Sequence, residues 1–359
     1  MKLTLHRLSL PLEHEFRIAR SARTHQPSVI VELSDGEHTG LGEVTANPYY
    51  GQTLDSIVTA IESVRSTVES YEFGSPEDLW DKLHHKVPSR AKRVLRGSGE
   101  KFALNAIDLA AHDLFGHIKG KPLHALWGLD VSSVVDSSYT IGLGPIDEMV
   151  AKVQQYAGWS CYKIKLGTEN DIEIVRTLRE HTDAAFRVDA NCAWTALEAI
   201  EKSRTLESLG VEFIEQPLPA DASRDDQQLV FDRSALPIIA DENCLVESDV
   251  AACRGVFDGV NVKLSKCGGL TPGLRMLKQA RELGLKTMLG CMVESSIGIS
   301  AAAHLLPLLD YADLDGAVLL ADEPCSGVTI ERGRVHFADG PGSGAVLDRD
   351  RLAEFAVRL

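Results

Sequence analysis

Lys163 and Lys165, in Tyr162-Lys163-Ile164-Lys165-Leu166-Gly167, carry two ammonium groups to one side if the stretch is a strand, with Ile164 on the other. Their neighbours are apolar or β-branched enough for a buried strand, where a charge survives only with a partner or a task. The bland alternative is an edge strand blunted by lysines. Three carboxylates further along also end apolar runs: Asp189 in Val188-Asp189-Ala190-Asn191, Glu215 in Phe213-Ile214-Glu215-Gln216, and Asp241 in Ile239-Ala240-Asp241-Glu242. Asp189 and Glu215 are 26 residues apart, as are Glu215 and Asp241, which is about one strand–helix unit each. Converging carboxylates repel one another unless a cation sits among them. Mg²⁺, which prefers about six oxygens at roughly 2.0–2.1 Å, suits three acids plus substrate and water oxygens. Asn191 and Glu242 read as supporting or capping residues.

Gly259-Val260-Asn261-Val262-Lys263-Leu264-Ser265-Lys266 supplies a further lysine. Asn261, Lys263 and Ser265 share one face of a strand there, so Lys263 points into the same mouth from the side opposite Lys163 and Lys165. Lys266 reads as a neighbour of the acids. An ammonium is a poor base at its ordinary pKa of about 10.4, and the expectation is that Lys163 and the metal depress Lys165. Two bases on opposite faces of one acidic C–H, with a cation on the adjacent carboxylate, can remove a proton and return one through an enolate-like intermediate.

The elements that must position these groups follow a regular plan. From about residue 130, apolar stretches near 135–141, 161–166, 185–190, 211–216, 237–241, 258–264, 286–291 and 311–315 predict strands. Helical spacing over 146–157, 170–181, 196–209 and 271–283 falls between several of them. Eight strands so spaced fit an α/β barrel, whose active site lies at the C-terminal strand ends. Residues 1–45 read as strands, with a polar segment from Phe16 to Thr24 that carries Arg17, Arg20 and Arg23 between them. A loop from Thr45 to Thr53 and helical spacing over 54–70, 76–86 and 100–118 follow. After Asp322 the alternation stops, and Gly327 to Val346 reads as short strands and turns that return to the N-terminal part.

With these residues in place, the chain resembles the enolase superfamily, in its muconate lactonizing enzyme-like subgroup. The resemblance rests on Lys163-Ile164-Lys165, Asp189, Glu215, Asp241, and Lys263 followed by Lys266-Cys267-Gly268-Gly269, in order over nearly the whole length. The passage from Ala106-Ile107-Asp108 through Gly120-Lys121-Pro122-Leu123 is also similar to that family. The resemblance implies a modified TIM barrel, (β/α)7β, over 126–322. It also implies an α+β capping domain over 1–125, completed by the tail 323–359, and one Mg²⁺ per subunit.

Within the subgroup, Asp313-Leu314-Asp315 is similar to the Asp-x-Asp motif of dipeptide epimerases, where it holds the free α-ammonium of the substrate. Gly290-Cys291-Met292-Val293-Glu294-Ser295-Ser296 resembles the seventh-strand segment of that group, which makes Met292 a substrate-contacting candidate. The implied activity is inversion of the C-terminal residue of an L-Ala-L-X dipeptide by two-lysine proton transfer, with Lys165 and Lys263 as acid and base. Lys163 would assist the substrate carboxylate. Arg20 and Arg23 would meet the X side chain and could receive an acidic X such as glutamate. o-Succinylbenzoate synthase, N-acylamino acid racemase and muconate cycloisomerase use the same metal and lysines, but their substrates lack the ammonium that the aspartate pair suits. A silent metabolite-binding homologue is the non-enzymatic alternative, although no metal acid or facing lysine is missing.

Composition narrows the partners to small molecules. The 359 residues carry a formal charge of −15 with no sustained basic run, which argues against nucleic acid and anionic membrane. Seven cysteines without a Cys-x-x-Cys pair suggest neither a disulfide scaffold nor a zinc knuckle. No leader-like start or run of ~18 apolar residues stands out, so the expected location is cytoplasmic, as a monomer or a homo-oligomer.

Overall fold

The computed structural model describes residues 1–18, 21–87 and 99–357. The chain opens with an antiparallel sheet of β1 (Lys2–Ile18), β2 (Ser21–Ser34) and β3 (Thr39–Thr45), in that spatial order. The segment read from sequence as a polar link between strands is instead the far end of the long β1–β2 hairpin, where Phe16 lies opposite Arg23. The alternation of His14 and Phe16 with Glu15 and Arg17 continues the extended conformation along β1.

Helices α1 (Leu54–Glu69), α2 (Pro76–Leu83) and α3 (Gly99–Lys119) cover this sheet. Thr53 and Ser56 form a reciprocal capping box that starts α1, and Ile57, Ile61, Val64 and Val68 give it one buried face. β3 carries Gly40 and Gly42 because α3 crosses it at close range. A Cβ on Gly42 would fall 2.0 Å from the Ala106 carbonyl oxygen. Removing the side chain is what lets the two backbones touch.

After the short α4 (Leu123–Leu126), eight parallel strands follow in unbroken neighbour order. They are β4 (Tyr139–Ile141), β5 (Cys161–Lys165), β6 (Ala185–Asp189), β7 (Val211–Glu215), β8 (Ile238–Ala240), β9 (Gly259–Val262), β10 (Lys286–Gly290) and β11 (Tyr311–Asp313). A bridge between Ser137, just ahead of β4, and Ala312 brings the two edges together. The connecting helices are α5 (Ile146–Gln155), α6 (Asp171–Arg179), α7 (Ala196–Ser208), α8 (Arg224–Arg233), α9 (Glu247–Cys253), α10 (Leu264–Cys267), α11 (Leu270–Glu282) and α12 (Ser296–Ala303). The architecture is therefore the (β/α)7β near-barrel with an antiparallel cap.

Two details differ from the sequence reading. Ser265 does not extend β9: it sits in α10, buried, because the Lys266 and Cys267 N–H groups turn back to the Lys263 carbonyl. Asp315 likewise lies beyond β11, at the start of a 3₁₀ turn, Asp315–Leu319. The tail after Asp322 makes short strand pairs, Cys325–Ser326 with Val346–Leu347 and Thr329–Glu331 with Arg334–His336, before α13 (Leu352–Phe355). Leu347 and Phe355 pack with Leu8 and Leu10 of β1, while Val328 donates its N–H to the Ser300 hydroxyl of α12.

Candidate active site

The barrel brings the sequence-predicted acids and lysines to one end. Lys165 lies in register with Asp189 across β5 and β6, and Asp189 with Glu215 across β6 and β7. Each carboxylate closes its strand or lies just past it, so all three face the C-terminal mouth, where barrel active sites form. One oxygen from each of Asp189, Glu215 and Asp241 lies within 4.8 Å of the others, and all three side chains are buried. Lys263 still has extended backbone angles at the head of α10, so the β9 alternation runs through it and sends its ammonium inward.

Alternating charge makes this burial tolerable. Lys163, 1% exposed, places its ammonium 2.7 Å from Glu215, 2.8 Å from Asp313 and 3.4 Å from Asp189. Lys165 meets Asp189 at 2.6 Å and Lys263 meets Asp241 at 2.8 Å. Burial favours the neutral form of Lys163, but Asp313, Glu215 and Asp189 outweigh it and hold the ammonium well above its ordinary range. The same contest holds Asp241 well below the ordinary carboxylate range, since Lys263, Lys266 and Lys163 overcome its burial. Glu215 goes the other way: burial, then the Asp189 charge, pushes it up to about 7. The amide of Asn261 donates to Glu215 Oε1 at 2.8 Å and fixes its plane.

These donors fit a divalent cation. They are three hard, buried oxygens converging within a few ångströms, and Glu215 is driven toward protonation by burial and then by the Asp189 charge. The set could hold a metal.

Above the acids lies a cavity of about 100 Å³. Its floor includes Lys163, Lys165, Lys263, Asp241 and Asn191, whose backbone N–H donates to Asp189 Oδ1 at 2.9 Å. Asp313 and Asp315 line one wall. The Ser138 hydroxyl donates to Asp313 Oδ1 at 2.9 Å, and the Thr140 N–H donates to Asp315 Oδ2 at 2.6 Å. Asp315 is pushed up to about 7 by burial and then by the Asp313 charge, whereas burial of Asp313 is outweighed by Lys163 and Lys165, which lower it.

The cap supplies the roof: Phe16 and Arg23 from the hairpin, and Asn47, Tyr49 and Tyr50 from the loop after β3. Arg23 stands 5.6 Å from the Phe16 ring centroid, and its buried Nε has no hydrogen-bond partner among the described residues. Burial brings its guanidinium down to about 10. Met292 lines the cavity and accepts a hydrogen bond at its sulfur from the Asn47 amide, 3.3 Å away. Arg20 lies outside the described residues.

The sequence reading passed over Ser138, Thr140 and Leu319. Polar Ser138 and Thr140 alternate with aromatic Tyr139 at the start of the barrel, the same period-two signal that singled out the lysines. Asn47 had no local signal, since its partner is 245 residues away.

Comparison with known proteins agrees with this architecture. Residues 3–128 match the mandelate racemase / muconate lactonizing enzyme N-terminal domain, and residues 147–351 match the enolase C-terminal domain-like family. The chain belongs to the enolase superfamily. An L-Ala-D/L-amino acid epimerase of Flavobacterium johnsoniae is 50% identical over 94% of this chain and 97% of its own length. An L-Ala-D/L-Glu epimerase of Bacteroides thetaiotaomicron is 36% identical, over 93% and 85%. A substrate-liganded L-Ala-D/L-Glu epimerase from Bacillus subtilis superposes with a TM-score of 0.87 at 26% identity, covering 96% of this chain and 99% of that one.

One member of this superfamily site is locked into the fold. Lys266, fully buried, contacts a carboxylate oxygen of Asp241 and donates to the carbonyls of Asp241 (2.8 Å), Asn261 (3.1 Å) and Cys244 (3.2 Å). Removing one partner of a buried pair typically costs 3–5 kcal/mol. Lys266→Met should therefore lower the unfolding free energy of the metal-free protein by roughly 3 kcal/mol in urea titration.

Proposed function

We propose that this protein is a Mg²⁺-dependent dipeptide epimerase that inverts the α-carbon of the C-terminal residue in L-Ala-L-X substrates. The observation that carries the reading is one cavity lined by both Lys165 and Lys263 above the acid triad, with a buried aspartate pair on its wall. Proton removal needs a base on one face of the α-carbon and an acid on the other, and an anionic wall suits a free α-ammonium. The 50% identical relative, named for the same class of reaction, supports it.

In this mechanism Asp313 and Asp315 hold the dipeptide ammonium and so fix which carbon lies between the lysines. Lys163, at the centre of the acids, donates to the substrate carboxylate. One of Lys165 and Lys263, as the neutral amine, takes the α-proton while the C–H pair moves toward the carboxylate. The other, as ammonium, delivers a proton to the opposite face. Mg²⁺ held by Asp189, Glu215 and Asp241 would bind that carboxylate and lower the cost of the negative charge gathering on it.

The decisive experiment is incubation with pooled L-Ala-L-X dipeptides and Mg²⁺ in D2O, reading deuterium at the α-carbon of X by mass spectrometry. Uptake is expected in a subset of X. A protein that binds Mg²⁺ but labels no dipeptide is not an epimerase of this class. Mg²⁺ should also raise the melting temperature and EDTA lower it, because a ligand of the folded form alone stabilises it.

Support for an acidic X comes from Arg23, which lines the cavity and whose buried Nε has no hydrogen-bond partner among the described residues. Arg23→Ala should raise KM for L-Ala-L-Glu by about tenfold or more while leaving apolar dipeptides within about threefold, since a charge-assisted hydrogen bond is worth roughly 1.5–3 kcal/mol. Equal losses on both would remove Arg23 from specificity.

The aspartate wall gives a pH signature. Asp315 is pushed up to about 7, so acidification below that value protonates it and removes part of the attraction for the ammonium. KM for dipeptides should rise as pH falls through about 7, and Asp315→Asn should flatten that dependence at a uniformly high KM.

A further inference from the structure

The barrel segment Cys291–Val293 and the cap loop around Asn47–Tyr50 wall the same cavity, and a cap carboxylate four residues before Asn47 reaches the barrel two residues after Val293. Glu43, on β3, is fully buried. Its oxygens accept from the N–H of Ser295 (2.9 Å), the N–H of Gly298 (3.1 Å), the Ser295 hydroxyl, and the Ser28 hydroxyl of β2 (2.7 Å). A carboxylate from the cap thus occupies the N-terminus of barrel helix α12, where unpaired N–H groups and the helix dipole favour negative charge. Gly298 is required there: a Cβ on it would fall 2.4 Å from Glu294 Oε2 and 3.1 Å from Glu43 Oε2.

The grip extends both ways. The Asn105 amide of α3 donates to the Glu43 carbonyl at 2.8 Å, which holds β3 in place four residues before Asn47. On the barrel side, Glu294 Oε1 accepts from the Met292 N–H at 3.0 Å. Where the two walls meet, the Asn47 amide donates to the Met292 sulfur.

We propose that Glu43 is a positioning residue that sets the cap loop at Asn47–Tyr50 against the barrel segment at Cys291–Val293, and so fixes the width of the substrate cavity. The link to substrate rests on the dipeptide reading, whereas the link between the two segments does not. The acids and lysines of the floor stand on β5 to β9 and at their ends, and none of them is a hydrogen-bond partner of Glu43 among the bonds given above. Glu43 therefore acts on the fit of substrate and not on proton transfer.

The test is amide hydrogen exchange on the Mg²⁺-loaded full chain, comparing Glu43→Asp and Glu43→Gln with wild type, alongside kinetics with L-Ala-L-X. Glu43→Asp draws the carboxylate back by one methylene. It should speed exchange in residues 44–52 and 291–296 about tenfold, leave β5 to β8 unchanged, and raise KM about tenfold with kcat within about threefold. Glu43→Gln should stay close to wild type, because its amide oxygen can still accept from α12 while its NH2 group donates to the Ser28 oxygen. If Glu43→Asp fails to fold, Ser295→Ala removes only the hydroxyl donor and should loosen the same two segments to a smaller degree. A drop in melting temperature with both segments and KM at wild-type values would reduce Glu43 to a structural role and overturn the proposal, as would loosening spread evenly over the barrel. If wild type labels no dipeptide, the epimerase reading fails and the exchange comparison still decides this one.

Discussion

Burial of charge at the barrel mouth is the constraint on which the rest of the structure depends. Lys163 and the acids Asp189, Glu215 and Asp241 have almost no exposure, and moving an ion out of water costs several kcal/mol unless opposite charge is at hand. The barrel meets this by alternating sign between neighbouring strands. Ammonium groups from β5 interleave with carboxylates from β6 and β7 in direct register, and Lys263 and Lys266 follow β9 to face Asp241. No open arrangement of the same segments would bring Lys163 within reach of Asp313, which lies on the last strand. Closure of the ring through Ser137 and Ala312 and neutralisation of the site are one event.

The cap roofs this charged floor and closes it into a cavity. Phe16, Tyr49 and Tyr50 lay aromatic surface over lysines and carboxylates, and lowering the local polarity strengthens every interaction beneath. The cap is docked by groups that work in the same way, buried carboxylates on the ends of barrel helices. Asp108 of α3 accepts the N–H and hydroxyl of Thr271 at the start of α11, as Glu43 does at α12. These polar anchors act beside apolar contacts across the same junction, where Leu245 and Met292 pack with the cap core and Ile297 with Leu8 and Leu10 of β1.

Asp313 shows how one residue serves both halves of the site. Its carboxylate is a neutralising partner for Lys163 and at the same time part of the cavity wall. A cationic group arriving at this wall competes with Lys163 for the same charge, and a metal on the acids would supply what Lys163 supplies now.

Strand ends, the alternation of Lys163 with Lys165, and the even spacing of Asp189, Glu215 and Asp241 were legible because a parallel barrel repeats one unit, so position along the chain maps onto position around the ring. That was enough to read the fold class and which acids and lysines gather at the barrel mouth. Boundaries such as those at Ser265 and Asp315 were less legible, because a turn begins where a carbonyl finds an N–H three or four residues on and not where the side-chain pattern ends. The amino-acid sequence by itself determined which groups face the mouth, through period-two alternation and strand spacing. Only the tertiary structure decided the partners: which acid each lysine meets, that Asn47 reaches Met292, and that Glu43 holds α12. Those contacts join residues tens to hundreds of positions apart, and nothing local in the chain encodes which of many buried polar groups will lie within hydrogen-bonding distance once two separate cores have packed together.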